Sequence, residues 1–477
     1  MQNEWIQIGV FLVLTLGTAA LTWWKSRASV RSKDRAQDFF LAGGHLSWPF
    51  IAGSLLLTNI SAEQIVGMNG AQNLLQVWWE FGAAVGLLVL AKVLVPMYYR
   101  YGCTTTTELL EKRLGDASLR RIVSTLFLLG YLFILLPMVL YTGARFMKSM
   151  FEPEMSIMTI SILFALAGLA YAALGGLRAI AISDTYMGVI LLVMGGLVTW
   201  FALERIGWDF SGIPAERLTL WGGPDSDIPW PTLFTGMMFA HIFYWGTNQV
   251  IAQRALAAKD IREAQKGIYA AALLKFLTPL IVVLPGIIAY KLYGDIDDNA
   301  YGRLVGDVLP PWLSGAFAAA MTGAVLSSYN AGLNSAAALY AMDIHLPMIN
   351  PKADARRVGQ WTQVLALLVS LALVPLYANA KSIIATLQQL NGLYSMPVLA
   401  AFIVAIFVRG ANAKALRIAL VFGVALYAMF TFVWTPLHYL HLMFITLLAT
   451  VALAIALSRL MGPSGAATDP AVDAAAG

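Results

Sequence analysis

Long apolar stretches alternate with short polar segments along most of this chain. A bilayer core of about 30 Å is crossed by about 20 apolar residues in a helix, and thirteen stretches of the sequence are long enough. They predict spans at residues 4–24, 47–70, 77–99, 121–147, 155–177, 179–204, 232–253, 266–290, 313–340, 358–379, 382–408, 414–434 and 439–458. We therefore expect an all-α polytopic membrane protein with about thirteen transmembrane helices.

Basic residues are unevenly distributed between the segments that separate these spans. When the segments are assigned alternately to the two sides of the membrane, 22 of the 31 Lys and Arg residues fall on one side and seven on the other. Lys and Arg are enriched in cytoplasmic loops, and the cluster from Lys25 to Arg35 belongs to the richer set. The bias predicts an N-out, C-in topology in which the first span is retained rather than cleaved.

Composition excludes several classes of protein. Charged residues make up only 12% of the 477 residues and hydrophobic residues 59%, and the mean hydropathy is +0.72. Soluble domains contain about 25% charged residues, roughly twice the fraction found here. The surface of this protein is therefore expected to contact lipid, and a soluble enzyme or a nucleic-acid-binding protein is excluded. The chain also contains no HExxH, GxSxG or GxxxxGK motif, so we expect neither an enzyme nor an ATP-driven transporter.

Polar clusters interrupt two of the predicted spans at mid-depth. The second span contains TNISAEQ at residues 58–64, and the seventh contains HIFYWGTNQ at residues 241–249. Irregular backbone at that depth is tolerated only where protein or a water-filled cavity surrounds it. The interruptions lie five spans apart, so their helices run in opposite directions, as in secondary transporters built from inverted repeats. Two kinked helices in a static bundle are the alternative.

Motifs distributed over residues 5–410 carry a resemblance to a known family. They include FFLAGG at 39–44, TNISAEQIVGM at 58–68, YAALGGL at 171–177, FYWGTNQ at 243–249, QRALAAK at 253–259, and the pair Ser327-Ser328. The chain resembles the sodium:solute symporter family, particularly its bacterial sodium/sugar branch. The resemblance implies an inverted five-helix-repeat (LeuT-like) core and sodium as the co-transported ion.

The resemblance, together with the hydropathy, charge and composition of the segments, indicates how the chain is divided and where it resides. We expect an extra N-terminal span with a basic loop (1–46), a first five-helix repeat (47–204), an extracellular loop (205–231), an inverted second repeat (232–409), two C-terminal spans (410–461) and a disordered tail (462–477). The expected location is the cell inner membrane. A monomer is sufficient for this architecture, and an oligomer is an open alternative.

The family resemblance implies an ion site between the broken second span and the ninth span. Its expected sodium ligands are the backbone carbonyls of Leu57, Ile60 and Ala324 and the hydroxyls of Ser327 and Ser328. Asp184 is expected on the path by which sodium leaves toward the cytoplasm. On their own, two adjacent serines in a membrane helix are more typical of helix packing.

The resemblance further implies that the imported solute is a hexose. Its expected ligands are Gln64, Met68, Glu80, His241, Tyr244, Trp245, Asn248, Lys275 and Gln388. A buried Glu80–Lys275 pair that only stabilises the bundle is the alternative for two of them. His241 stands where the sugar branch has an asparagine, so a different hexose or a polyol such as inositol stays open. An amino acid, a nucleoside and sialic acid are further alternatives, as is a channel or a solute sensor on this scaffold.

Overall fold

The structure, a computed structural model, describes residues 2–27, 45–151, 154–379 and 382–463. Regular secondary structure in these residues is helical, apart from two isolated β-bridges, which confirms the all-α prediction. Seven helices in the described ranges are long and apolar enough to cross a membrane, or eight if one bent pair is a single span. The predicted number of thirteen spans is not confirmed, because several predicted spans consist of shorter helices.

The helices of the N-terminal half correspond to the first six predicted spans and the segment between the third and fourth. They are α1 (Gln2–Arg27), α2 (Trp48–Asn59), α3 (Ala62–Gly70), α4 (Leu74–Arg100), α5 (Glu108–Leu114), α6 (Ala117–Phe151) and α7 (Ile157–Arg205). Most of the predicted basic loop after the first span lies outside the described residues.

The helices of the C-terminal half follow a long loop after α7. They are α8 (Gly236–Ile242), α9 (Gln249–Leu256), α10 (Ile261–Leu274), α11 (Pro279–Tyr293), α12 (Ala300–Val308), α13 (Pro311–Ala338), α14 (Ala355–Leu373), α15 (Ile383–Phe407), α16 (Ala413–Phe432) and α17 (Tyr439–Met461). The predicted C-terminal tail lies outside the described residues from position 464 onward.

Helix α7 differs from the sequence prediction. The pattern predicts two spans, 155–177 and 179–204, whereas the structure has one continuous helix of 49 residues. At 1.5 Å per residue this helix is about 73 Å long. The sequence from 157 to 205 contains no proline, the residue that most strongly ends a helix, and Arg178 alone does not stop it. The side chains of residues 171–185, including that of Asp184, lie outside the described part.

Helix α13 lies at the centre of the bundle, and nearly all of its side chains are buried. It packs against α1, α2, α6, α7 and α14. The helix is rich in Ala, Gly and Ser, and such small side chains allow neighbouring backbones in a membrane to approach closely. Helix α13 also packs against both helices of the broken span, α2 and α3.

Candidate ion and solute sites

The second predicted span is broken, as the sequence predicts. Helix α2 ends at Asn59 and α3 begins at Ala62, with Ile60 and Ser61 between them. The backbone N–H of Ser61 donates to the Asn59 carbonyl at 2.7 Å. The N–H of Gln64 donates to the Ser61 hydroxyl, which caps α3. Both N–H groups are therefore turned away from the carbonyls that they would meet in a continuous helix.

Those two carbonyls belong to Leu57 and Ile60, four residues before each donor. The backbone of Leu57 is described, while its side chain is not. The break thus leaves two carbonyl oxygens, on either side of the Thr58–Asn59 pair, without their helical donors. Unwound carbonyls of this kind coordinate sodium in secondary transporters.

Helix α13 carries the serine pair of the predicted ion site, Ser327 and Ser328. Helix α13 packs against both α2 and α3. Ser327 and Ser328 are 4% and 3% exposed, and neither Oγ has a hydrogen-bond partner among the described residues. A buried hydroxyl without a partner costs about 1–3 kcal/mol, which a cation would offset. The serines therefore do not bond back to the preceding turn, the usual behaviour of serine in a membrane helix.

The seventh predicted span is also broken, but here protein groups satisfy the break. Helix α8 continues as a π-turn over Phe243–Thr247 and ends at Asn248, which has an extended backbone. Asn248 Oδ1 accepts from the Tyr131 hydroxyl at 2.6 Å and from the Val250 N–H at 3.1 Å. The Gly246 carbonyl accepts from the Tyr98 hydroxyl at 2.9 Å. Asn248, a predicted solute ligand, is thus a helix cap and does not line the cavity described next.

A cavity lies between the two breaks. It offers about 90 Å³ to the centres of water molecules, several times the ~10–15 Å³ that one water requires. Six predicted solute ligands line it, namely Gln64, Met68, His241, Tyr244, Trp245 and Gln388. Three buried side-chain atoms on its wall have no hydrogen-bond partner among the described residues: Glu63 Oε2, Gln64 Oε1 and His241 Nε2. Polar side chains thus contribute to the lining together with apolar ones such as Leu135, Ile384 and Leu387.

Glu80 and Lys275 lie behind this wall and are not among its lining residues. Lys275 Nζ is 2.7 Å from Glu80 Oε2, and the two side chains are 1% and 0% exposed. Gln64 Nε2 donates to Glu80 Oε1, and Lys275 Nζ donates to Asn59 Oδ1. Because an ionised carboxylate only accepts hydrogen bonds, Gln64 must offer its NH₂ to Glu80. Its Oε1 has no hydrogen-bond partner among the described residues.

A bend between α10 and α11 positions Lys275. Pro279 has no N–H to donate to the Lys275 carbonyl, and the hydroxyl of Thr278 donates to that carbonyl at 2.8 Å. The two helix axes differ by 48°. The sequence pattern predicts an unbroken span at 266–290, and the structure has a third interruption there, for which Pro279 is the sequence signal.

His241 reaches the cavity because α4 and α8 are in close contact. Its ring lies 5.6 Å from the ring of Trp79. A Cβ at Gly82 would lie 2.3 Å from the His241 ring, so any side chain at position 82 would displace the imidazole. Glycine at this position is therefore required for His241 to occupy the wall.

Sequence reasoning missed several lining residues. Asn59, Ser61 and Glu63 belong to the broken segment itself, and Trp79 directly precedes Glu80. Asn391 also lines the cavity. It follows Gln388 by three residues on α15, and residues three apart share a helix face, which is the signal that could have identified it.

Two broken helices beside a cavity with several polar lining residues, in a helical membrane bundle, are typical of a secondary transporter. Comparison with known proteins agrees. The model of the sodium:solute symporter family matches residues 39–423, and the chain belongs to this family. It is therefore a multi-pass membrane transporter of small solutes, it is not an enzyme, and sodium is the co-transported ion.

Individual relatives are similar over most of their length. The chain is 37% identical to the uncharacterized symporter YidK of Escherichia coli, over 94% of this chain and 83% of that protein. It is 31% identical to a sodium/glucose cotransporter of Vibrio parahaemolyticus, over 94% and 89%, and 29% identical to the sodium/myo-inositol cotransporter 2 of Sus scrofa, over 88% and 68%.

A solved structure supports the fold. A Na⁺-coupled sialic acid symporter in a substrate-bound, outward-open state superposes with a TM-score of 0.84 at 18% identity, covering 97% of this chain and 100% of that one. The nucleobase-cation symporter Mhp1 superposes with a TM-score of 0.60 at 16% identity, covering 90% of this chain and 96% of that one. These likenesses show that the fold is that of LeuT-like transporters.

Proposed function

We propose that the protein imports a hexose together with sodium by alternating access. The observation that carries this proposal is the cavity between the two breaks, where Glu63, Gln64 and His241 each have a buried polar atom without a partner. A hexose presents hydroxyl groups in several directions, each of which donates and accepts a hydrogen bond. The sodium/glucose relative supports the same choice.

The proposed sodium site combines three backbone carbonyls with two hydroxyls. Its ligands are the carbonyls of Leu57, Ile60 and Ala324 and the hydroxyls of Ser327 and Ser328. The redirected N–H groups at the α2–α3 break and the unpartnered serine hydroxyls support it. Sodium bound there joins α2 and α3 to α13 and thereby orders the segment that carries Gln64. We place Asp184 on the exit path from this site.

The proposed solute site has two layers. Gln64, His241, Tyr244 and Gln388 contact the solute with polar groups, and Met68 and Trp245 pack against it. Glu80 and Lys275 act from behind, because they hold Gln64 and Asn59 in place. Tyr244 closes the cavity toward the cytoplasm. Asn248 acts as the N-cap of α9 and thereby stabilises the backbone of the second break.

The proposed architecture has two inverted five-helix repeats, residues 47–204 and 232–409, in the cell inner membrane with an N-out, C-in topology. The bias of Lys and Arg toward one side and the bacterial relatives support it. A charge that crosses about 100 mV yields ~2.3 kcal/mol, and a tenfold sodium gradient adds ~1.4 kcal/mol. One sodium ion can therefore drive roughly 500-fold accumulation of a neutral solute.

Myo-inositol is the second candidate solute, because the sodium/myo-inositol cotransporters are similar over most of this chain. An uptake panel in proteoliposomes separates the candidates. Radiolabelled glucose, galactose, myo-inositol, sialic acid and an amino acid are each offered with an inward sodium gradient and with potassium instead. We expect accumulation of a hexose with sodium alone. Accumulation of only inositol selects the second candidate, and equal uptake in potassium contradicts sodium coupling.

A further inference from the structure

Helix α11 is itself interrupted at Val283. This residue lies between the helical segments Pro279–Val282 and Leu284–Tyr293, and its φ of −128° is outside the helical range. Pro285 follows the interruption and has no N–H, so the carbonyl of Ile281, four residues earlier, lacks its helical donor. A buried carbonyl needs a partner, and here the partner comes from another helix.

The side chain of Asn69, on α3, supplies that partner. Asn69 is 0% exposed, and its Nδ2 donates to the Ile281 carbonyl at 3.2 Å and to the Ile65 carbonyl at 2.8 Å. Its Oδ1 accepts from the Gly286 N–H at 2.7 Å. Both N–H bonds of the amide and its oxygen are therefore engaged. A flipped amide would place its oxygen against two carbonyls, so a single orientation fits this site.

Close contact between α3 and α11 makes this arrangement possible. Helix α3 packs against both segments of α11. A Cβ at Gly286 would overlap with the backbone oxygen of Asn69, so glycine is required at position 286. The Asn69 amide thus joins the C-terminal end of α3 to the interruption of α11.

Helix α3 carries two residues of the cavity wall between its two fixed ends. It has only nine residues, and a helix of that length is not stable without tertiary contacts. Its N-terminal end is fixed by the cap Ser61, next to the proposed sodium ligand Ile60, and its C-terminal end by Asn69. Gln64 and Met68 line the cavity from between these ends. A rotation or tilt of α3 would displace both of them.

We propose that Asn69 is a positioning residue of the solute site, because its amide sets the orientation in which α3 presents Gln64 and Met68 to the solute. This inference rests on the proposed function and deepens it. Asn69 is not among the lining residues of the cavity, so it acts through α3. Its hydrogen bonds also stabilise the interruption of α11, and a test must separate this contribution to stability from positioning.

Pro285→Ala allows that separation, because it restores an N–H that can donate to the Ile281 carbonyl. Tm in detergent and the Kd of whichever labelled solute the wild type binds in saturating sodium are measured for Asn69→Ala, Pro285→Ala and the double variant. Asn69→Ala should lower Tm and raise Kd about tenfold, the order of change that the loss of one or two hydrogen bonds produces.

The double variant is the decisive protein. Adding Pro285→Ala to Asn69→Ala should regain most of the lost Tm, because the Ile281 carbonyl again has a donor. The Kd should nevertheless stay about tenfold above that of Pro285→Ala alone, because nothing joins the end of α3 to α11. A role in stability alone would restore Tm and Kd together.

Asn412→Ala is the matched control for a general loss of stability. Asn412 caps α16 and does not line the cavity, and the loss of an N-cap lowers stability. This variant should lose Tm and keep the wild-type Kd. An equal rise of Kd in Asn412→Ala and Asn69→Ala would overturn the positioning role.

The outcomes separate this inference from the function on which it rests. If the wild type binds no solute of the uptake panel in sodium, both are overturned. If it binds one, and the double variant has the same Kd as Pro285→Ala, only the role of Asn69 is overturned. Should Asn69→Ala not fold by itself, the comparison of the double variant with Pro285→Ala decides in the same way.

Discussion

Lys275 Nζ lies 2.7 Å from Glu80 Oε2 in a fully buried ion pair, and each partner also bonds to an amide of the cavity wall. The pair therefore stands one layer behind the lining of the cavity. A buried pair of this kind contributes little net stability by itself. In the proposed solute site, the pair orients Gln64 and Asn59 through these hydrogen bonds.

Removing one partner of this pair should be much more harmful to stability than removing both. Lys275→Met leaves the Glu80 charge buried and unpaired, which costs about 3–5 kcal/mol. Glu80→Leu combined with Lys275→Met should recover most of the lost thermal stability, because no buried charge remains. Tm in detergent checks this expectation.

Solute affinity should not recover with stability in the double variant, because Gln64 and Asn59 have lost their anchors. We expect the solute Kd to stay at least about tenfold above wild type, roughly 1.4 kcal/mol. A double variant that folds and binds solute like the wild type would reduce the pair to the purely structural role that the sequence left open.

Ser328→Ala should weaken sodium activation of uptake selectively. The substitution removes one proposed ligand and, with it, a buried hydroxyl that has no partner among the described residues. We expect the sodium concentration for half-maximal uptake to rise about tenfold or more, while the solute KM at saturating sodium changes little. Uptake at varied sodium and at varied solute measures both quantities.

Ser370→Ala is the matched control for this experiment. Ser370 is equally buried, but its hydroxyl is bonded to Tyr329 and to the Leu367 carbonyl. Its loss should leave sodium activation unchanged. Equal shifts in the Ser328 and Ser370 variants would indicate a general packing effect and no ion site at Ser328.

Asn391→Leu should impair solute binding without affecting sodium activation. The residue lines the cavity from α15, one turn after Gln388, and leucine of similar size removes its polar groups. A lost hydrogen bond to a neutral partner is worth about 0.5–1.5 kcal/mol, so we expect the solute KM to rise about two- to tenfold. An unchanged KM would exclude Asn391 from the solute site.

Asp298 should make the stability of the folded protein depend on pH. This carboxylate, in the loop between α11 and α12, accepts from the Ile383 N–H at the start of α15. It also packs against Gly70, where a Cβ would lie 2.4 Å from Asp298 Oδ1. Burial raises its pKa from 3.8 to about 6, although the Ile383 N–H and Arg145 oppose the shift.

The sign of this dependence follows from the raised pKa of Asp298. The folded state holds the proton more tightly than the unfolded state, so stability falls as pH rises from about 4 to above 6, by up to about 3 kcal/mol. We expect the wild type to lose more Tm between pH 5 and pH 7.5 than Asp298→Asn does. Parallel pH profiles for the two proteins would refute this role for Asp298.

The sequence predicted the features that depend on local chemistry. Polar clusters within apolar spans predicted the two breaks, because polar groups at that depth need partners. The structure bears out the interruption at Ile60–Ser61 and the one at Asn248.

Features that depend on how the helices pack against one another could not be predicted from the sequence. Glu80 and Lys275 were recognisable as intramembrane charges, but their place behind the wall depends on the bend at Pro279 and on the rotation of α4. The division of 155–204 into two spans was expected from Arg178 between apolar stretches, whereas without a proline the backbone continues as one helix. Glu63 required knowledge of which face of α3 lines the cavity, whereas the spacing of Asn391 from Gln388 could have indicated that residue.

The central claim is that the break between α2 and α3 couples a sodium site to the solute cavity, and the most direct measurement is the solute Kd with and without sodium. The transported solute is titrated into purified wild-type protein in sodium and in potassium at equal ionic strength. The account predicts a Kd at least about tenfold lower in sodium, a coupling of about 1.4 kcal/mol. The same Kd in both salts would contradict it.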